Sequence, residues 1–163
     1  MADASGRVFA FGDAPPLGSL SGVKLNAPIV GIAADPDASG YWLVAADGGV
    51  FSFGTSRFDG SLGGVKLNAP VVGITADPDG SGYWLVAADG GVFSFGGASF
   101  FGSAASLHLQ APVVGIAATK TGDGYWLGAS DGGVFSFGAA PFEGSAGGIH
   151  LNEPVVAITP PAP

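Results

Sequence analysis

Gly82-Tyr83-Trp84-Leu85-Val86-Ala87-Ala88-Asp89-Gly90-Gly91-Val92-Phe93-Ser94-Phe95-Gly96 decides how this chain folds. Two short runs rich in aromatic and β-branched residues flank an Asp-Gly pair, the strongest short-range signal for a β-hairpin. The same string stands unchanged at 40–54, and it returns at 124–138 with Gly128 and Ser130 in place of Val86 and Ala88. Val8-Phe9-Ala10-Phe11-Gly12 is its tail one period earlier, and every offset is 42 residues without insertion or deletion.

Working outward from the hairpin, Val71-Val72-Gly73-Ile74-Thr75-Ala76 precedes it as a further apolar run. It is separated by Asp77-Pro78-Asp79-Gly80-Ser81-Gly82, all turn-forming residues. A short fourth strand is expected near Phe100–Ser103, before a loop that ends at Ala111-Pro112. Pro28, Pro70, Pro112 and Pro154 mark the same point in successive periods, each followed by two β-branched residues. No segment carries an apolar stripe at helical spacing. The reading is therefore all-β: a β-propeller built from four 42-residue, four-stranded repeats, because short meanders at this period bury their faces by stacking around an axis. The chain forms a single repeat domain over 1–163, with units 6–47, 48–89, 90–131 and 132–163, and residues 1–5 closing the ring.

The phase of the repeat favours closure. Four periods would take 168 residues against the 163 present, and the counterparts of Gly80–Trp84 are the ones lacking. Pro154-Val155-Val156-Ala157-Ile158 is expected to pair with Val8-Phe9-Ala10-Phe11 in one composite blade, removing the free edges that invite aggregation. Two forms stay open: four blades within one chain, or eight in a homodimer that closes a larger ring.

Composition narrows the function. The chain is 47% hydrophobic and 11% charged, with 30 glycines and 12 prolines. No apolar run reaches the roughly 18 residues of a membrane span, so membrane insertion is not expected. The net charge of −8 argues against nucleic acid and anionic lipid, which are bound through clustered Lys and Arg. The absence of cysteine removes disulfides, thiolate metal sites and cysteine nucleophiles. Residues 1–6, Met-Ala-Asp-Ala-Ser-Gly, show neither the basic nor the apolar region of a signal peptide.

The string Gly-Tyr-Trp-Leu-Val-Ala-x-Asp-Gly-Gly-Val-Phe-Ser-Phe-Gly, followed by Phe-x-Gly-Ser, resembles the tandem repeats of secreted and cell-surface proteins of actinobacteria. The resemblance covers nearly the whole chain. It implies propeller-like repeats and a secreted or cell-surface parent protein, in company with wall-active or other extracellular domains.

Candidate chemistry is sparse. Trp42, Trp84 and Trp126 recur at symmetric positions, and aromatic rings so placed would stack on sugars, with Asp47, Asp89 and Asp131 accepting hydroxyl hydrogen bonds. The competing reading buries the tryptophans between blades and makes the aspartates turn residues. Neighbours in a strand point to opposite faces, so each Tyr-Trp pair cannot line one site. Asp35-Pro36-Asp37 and Asp77-Pro78-Asp79 resemble the start of a calcium loop, yet the bidentate glutamate is missing and Lys120 stands in the third copy. Simple turns are the alternative, and no other cofactor is expected. His108 and His150 replace Lys24 and Lys66, as at a solvated loop position. Ser52, Ser94 and Ser136 have no histidine partner, and Glu143 and Glu153 are the only pair that a glycoside hydrolase would need.

Catalysis requires unlike groups converging on one point, whereas near-copies offer similar surfaces suited to multivalent binding. The expectation is a non-enzymatic module recognising a cell-wall or surface carbohydrate. A structural or oligomerisation scaffold without small-molecule ligand is the alternative, and a propeller-type hydrolase the second.

Overall fold

The computed structural model describes residues 1–160, which form an all-β chain with no helix among them. Nine strands follow in order: β1 (Ile29–Ala34), β2 (Gly40–Ala45), β3 (Val50–Gly54), β4 (Val71–Ala76), β5 (Gly82–Ala87), β6 (Val92–Gly96), β7 (Val113–Ala118), β8 (Gly124–Ala129) and β9 (Val134–Gly138). They make three antiparallel meanders, β1-β2-β3, β4-β5-β6 and β7-β8-β9.

The hairpin turn follows from Asp-Gly as expected. Gly90 N donates to Ala87 O at 2.9 Å, and Gly90 sits at φ +84°, where a side chain would be strained. The Asp89 carboxylate accepts the Gly91 N–H at 3.0 Å, and Asp47 and Asp131 repeat the contact with Gly49 and Gly133. The register then places Trp84 opposite Ser94 and Leu85 opposite Phe93.

The sheets stack through their first strands, β1 against β4 and β4 against β7. Glycines meet at that contact. A β-carbon added at Gly73 would lie 3.6 Å from the Gly115 Cα, in ordinary contact with the next sheet. Strand β5 alternates between two cores. Tyr83 and Leu85 join Trp42, Val44, Val71 and Ile74 on one side, while Trp84 and Val86 join Val113, Ile116, Tyr125 and Leu127 on the other. Every middle strand is buried along its whole length, so these strands run continuously apolar rather than alternating.

Two expectations are corrected. The fourth strand is not formed, and residues 100–103 carry no strand pairing. Gly102 and its counterpart Gly60 adopt φ +136° and +131°, which breaks an extended run. Side chains hold this segment instead: Trp42 Nε1 donates to Arg57 O at 2.7 Å, and Tyr83 Oη donates to Gly60 O at 2.6 Å. The closing blade is not formed within the chain either. Strands β1 and β7 do not touch, and the three sheets are not joined into a ring. Residues 8–11 contribute only the bridge between Ala2 and Val8, and residues 154–158 form no strand. The two segments lie at opposite ends of the stack: Ala2 and Val8 pack on the cluster of Leu20, Ile29 and Leu43, and Ile158 on that of Ala117 and Trp126. Residues 161–163, assigned to the last unit, lie outside the described residues.

Candidate functional site

The aromatic residues divide into two sets with opposite fates. Trp42, Trp84 and Trp126 are 1%, 0% and 9% exposed, so no ring face is open to a sugar. Their ligand-stacking role is overturned by this placement, and the physical reason is packing between sheets. Trp42 lies 5.3 Å from Tyr83 and Trp84 lies 5.7 Å from Tyr125, centroid to centroid. Each indole N–H is spent on a backbone carbonyl in the segment that follows its own sheet: Arg57, Ser99 and Pro141, at 2.7, 2.7 and 2.6 Å. Each tyrosine reaches back to the segment that precedes its own sheet, Tyr41 to Gly18 O, Tyr83 to Gly60 O and Tyr125 to Gly102 O. Burial raises the pKa of all three phenols.

These bonds clamp residues 57–60 and 99–102 from both sides, while Pro141 in the last such segment is held by Trp126 alone. At residues 99–102, Trp84 holds Ser99 O from one sheet, while Tyr125 of the next holds Phe101 N and Gly102 O. Between the anchors stands Phe100, 60% exposed; Phe58 and Phe142 repeat it at 56% and 63%. Large aromatic side chains are thus presented to solvent on fixed backbone at intervals of one repeat. The recurring Phe-x-Gly-Ser at 58–61, 100–103 and 142–145 was the sequence signal for them.

Phe100 borders an open hollow of about 360 Å³ that also takes in Lys66, Asn68, Asp89, Phe93 and Ser103. The preceding repeat forms a corresponding hollow with Lys24, Asn26, Asp47 and Phe51. On the far side of the same loops, Asn26, Asn68 and His108 line three further hollows, with Asp47 beside the second and Asp89 beside the third. Asp47 and Asp89 therefore close their turns with one oxygen and also line two hollows each. Asp131 makes the same turn contact in the third repeat.

The aspartates proposed for calcium fall elsewhere, on the turns between first and second strands. The Asp37 carboxylate accepts the Ser39 N–H at 2.8 Å and that of Asp79 the Ser81 N–H at 2.8 Å, and these serine contacts lower both pKa values. Asp35 and Asp77 open the turns; Ala38 N and Gly80 N donate to their carbonyls. Burial pushes the Asp77 carboxyl up. In the third copy Asp123 accepts from the Thr119 hydroxyl instead. Among the described residues no three His, Asp or Glu side chains converge as a metal site would require.

Glu143 and Glu153 are exposed, as are His108 and His150. The Ser52, Ser94 and Ser136 hydroxyls are enclosed in the sheets without a hydrogen-bond partner, away from any base. No described helix is long and apolar enough to cross a membrane. Comparison with protein-family models and with curated proteins finds no match for the chain.

Proposed function

We propose that this chain is a non-enzymatic binding module of propeller-type blades that recognises a cell-wall or surface carbohydrate multivalently. The row of exposed Phe58, Phe100 and Phe142 carries the reading, one repeat apart, with Phe58 and Phe100 on segments clamped from both sides and Phe142 beside the carbonyl that Trp126 holds. A phenyl face stacks on the apolar face of a pyranose. Lys66, Asn68 and Asp89, gathered in the hollow beside Phe100, supply donors and acceptors for its hydroxyls. Such shallow, open sites bind weakly one at a time, and a polymer that engages several gains through effective concentration. The resemblance to actinobacterial surface repeats supports a wall or surface setting, and the lack of convergent unlike groups supports binding over hydrolysis.

The test is co-sedimentation with insoluble wall polysaccharide, alongside titration with short oligosaccharides. Phe100→Ala alone is expected to weaken polymer binding by a few fold, and the combined Phe58→Ala, Phe100→Ala, Phe142→Ala variant by more than about tenfold, because avidity multiplies the single losses. Folding is unaffected at these exposed positions, so unchanged polymer binding by the triple variant would sink the proposal. Release of reducing sugar from the polymer would favour the hydrolase instead.

A further inference from the structure

We infer that the two ends of this sheet stack are complementary surfaces, and that each docks head to tail onto the other end of a second copy of this chain. The inference starts from a contact that the molecule makes four times. Ile29 N donates to Ala4 O, Val71 N to Ala46 O, Val113 N to Ala88 O and Val155 N to Ser130 O, all at 2.9–3.0 Å. Each bond hands the chain from the hairpin turn of one sheet to the first strand of the next. One operation therefore builds the whole stack.

Among the described residues, the last step presents a first-strand segment with no hairpin beside it. Residues 155–158 occupy the first-strand place against β7, so that a β-carbon on Gly115 would meet Ile158 Cγ2 at 3.3 Å, as one on Gly31 would meet Ile74 Cγ2 at 3.3 Å. Among the described residues nothing pairs with the outer side of that segment, and Val156 is 80% exposed.

The first step leaves a hairpin without its first strand. Residues 1–9 reproduce the end of a β2–β3 pair: Ala2 lies opposite Val8, and Phe9 N donates to Met1 O at 2.8 Å. Strand β1 consequently has one bare face. Ile32 is 41% exposed, whereas its counterparts Ile74 and Ile116 are 9% and 7% exposed under the neighbouring sheet.

What one end lacks, the other presents. Carrying the register of β1 and β2 (Gly31 opposite Val44, Ile29 opposite Ala45) onto the two ends sets Ala157 of one copy against Ala2 of the next, and Val155 against Asp3. The Asp3 carboxylate is already bonded to Ser5 and Arg7, so it brings no bare charge to the contact. Ala157 would then lie over Ile32, as Gly31 lies over Ile74. Within one chain the partners are kept apart, because three sheets stand between them and β1 does not reach β7. A heterologous contact of this kind closes a ring when its rotation allows and otherwise extends an array.

Oligomeric mass and directed cross-linking test it. Light scattering across a concentration series should show species of at least twice the chain mass. The chain has no cysteine, so Ile32→Cys and Ala157→Cys introduce unique thiols on surfaces exposed in a single copy. Mixing the two variants under oxidising conditions should give the mixed disulfide at least about tenfold faster than either variant gives its own, since bonding needs matched Cβ positions. Ile32→Glu should abolish the larger species while leaving the circular dichroism and melting temperature of the single chain unchanged. A single-chain mass at every concentration, like-with-like cross-linking as fast as the mixed reaction, or an assembly that survives Ile32→Glu would each overturn the inference. None of these readouts involves carbohydrate, so the outcome is separate from that of the binding proposal.

Discussion

Replacing Trp84 by alanine removes the side chain that ties the second sheet to the third. The indole is fully buried, lies 5.7 Å from the Tyr125 ring and 6.4 Å from Phe101, and donates to Ser99 O at 2.7 Å. A buried aromatic of this class removes roughly 150–250 Å² from water, which at about 25 cal/mol per Å² amounts to about 4–6 kcal/mol. The unfolded chain already hides part of that area, which lowers the figure. Large-to-small substitutions of this kind cost about 3–5 kcal/mol by direct experience, and the orphaned carbonyl adds about 1 kcal/mol. The expected loss is therefore about 4–5 kcal/mol, a large part of the roughly 5–15 kcal/mol available to a domain. Trp126 faces smaller neighbours, Ala117, Ala140, Val134 and Ile158, so Trp126→Ala should cost about 2–3 kcal/mol. Phe100→Ala, at 60% exposure, should stay within about 0.5 kcal/mol. Urea titration followed by far-UV circular dichroism measures all three without relying on tryptophan emission. A slope that falls along with the midpoint would show the sheets uncoupling one by one. A cost below about 1 kcal/mol for Trp84→Ala, or an equal cost for Phe100→Ala, would refute the division between clamping and presented aromatics.

Gly82→Ala should be among the most damaging small substitutions, because the new β-carbon would fall 2.0 Å from Phe95 O inside the β5–β6 ladder. Gly64→Ala meets nothing within 4 Å and bears only the strain of φ +85°, about 1–2 kcal/mol on thermal melting. Ser94→Ala should be neutral or stabilising by up to about 1 kcal/mol, since it deletes a buried hydroxyl that has no partner. Acid should destabilise the fold. Hydrogen bonds from Ser39, Ser81 and Thr119 lower the Asp37, Asp79 and Asp123 carboxyls, and those from Ser5 and Arg7 take Asp3 to about 2. Their contributions are present above the ordinary value of 3.8 and are lost as pH falls through the lowered values. Asp77 runs the other way, raised by burial, and gains as pH falls. Four groups oppose one, so melting temperature should drop between about pH 4 and 2, and Asp79→Asn should flatten that slope.

Strand positions were legible because both signals that specify them are local. Apolar runs and the Asp-Gly turn place the hairpin of β5 and β6 with Val92 in register, and the ends of both strands fall within one residue of those expected from 83–88 and 92–95. The fate of the tryptophans was only half legible. Alternation along the strand shows that Tyr83 and Trp84 face opposite ways, but not that a sheet covers each side. That knowledge requires the stacking of β4 on both β1 and β7. The exposed phenylalanines were masked for the converse reason. Phe100-Phe101 reads as a strand until Gly102 turns at φ +136°, after which Phe101 packs inward against the Tyr125 ring and Phe100 is left outside.

Closure within one chain, one of the two forms the sequence left open, is not formed, on different grounds. A repeat specifies the step from one sheet to its neighbour, through such contacts as Gly73 on Gly115 and Val113 N to Ala88 O. The number of sheets that completes a turn depends on the rotation accumulated over all the steps, to which no single residue answers. Identical repeats therefore fix the neighbour contact firmly while leaving the size of the ring to the sum of small angles. That is why residues 1–9 and 155–158 match each other in sequence register and yet stand at opposite ends of the stack. The complementarity that suggested closure is what the proposed head-to-tail contact with a second copy draws on, since one such contact would engage both ends at once.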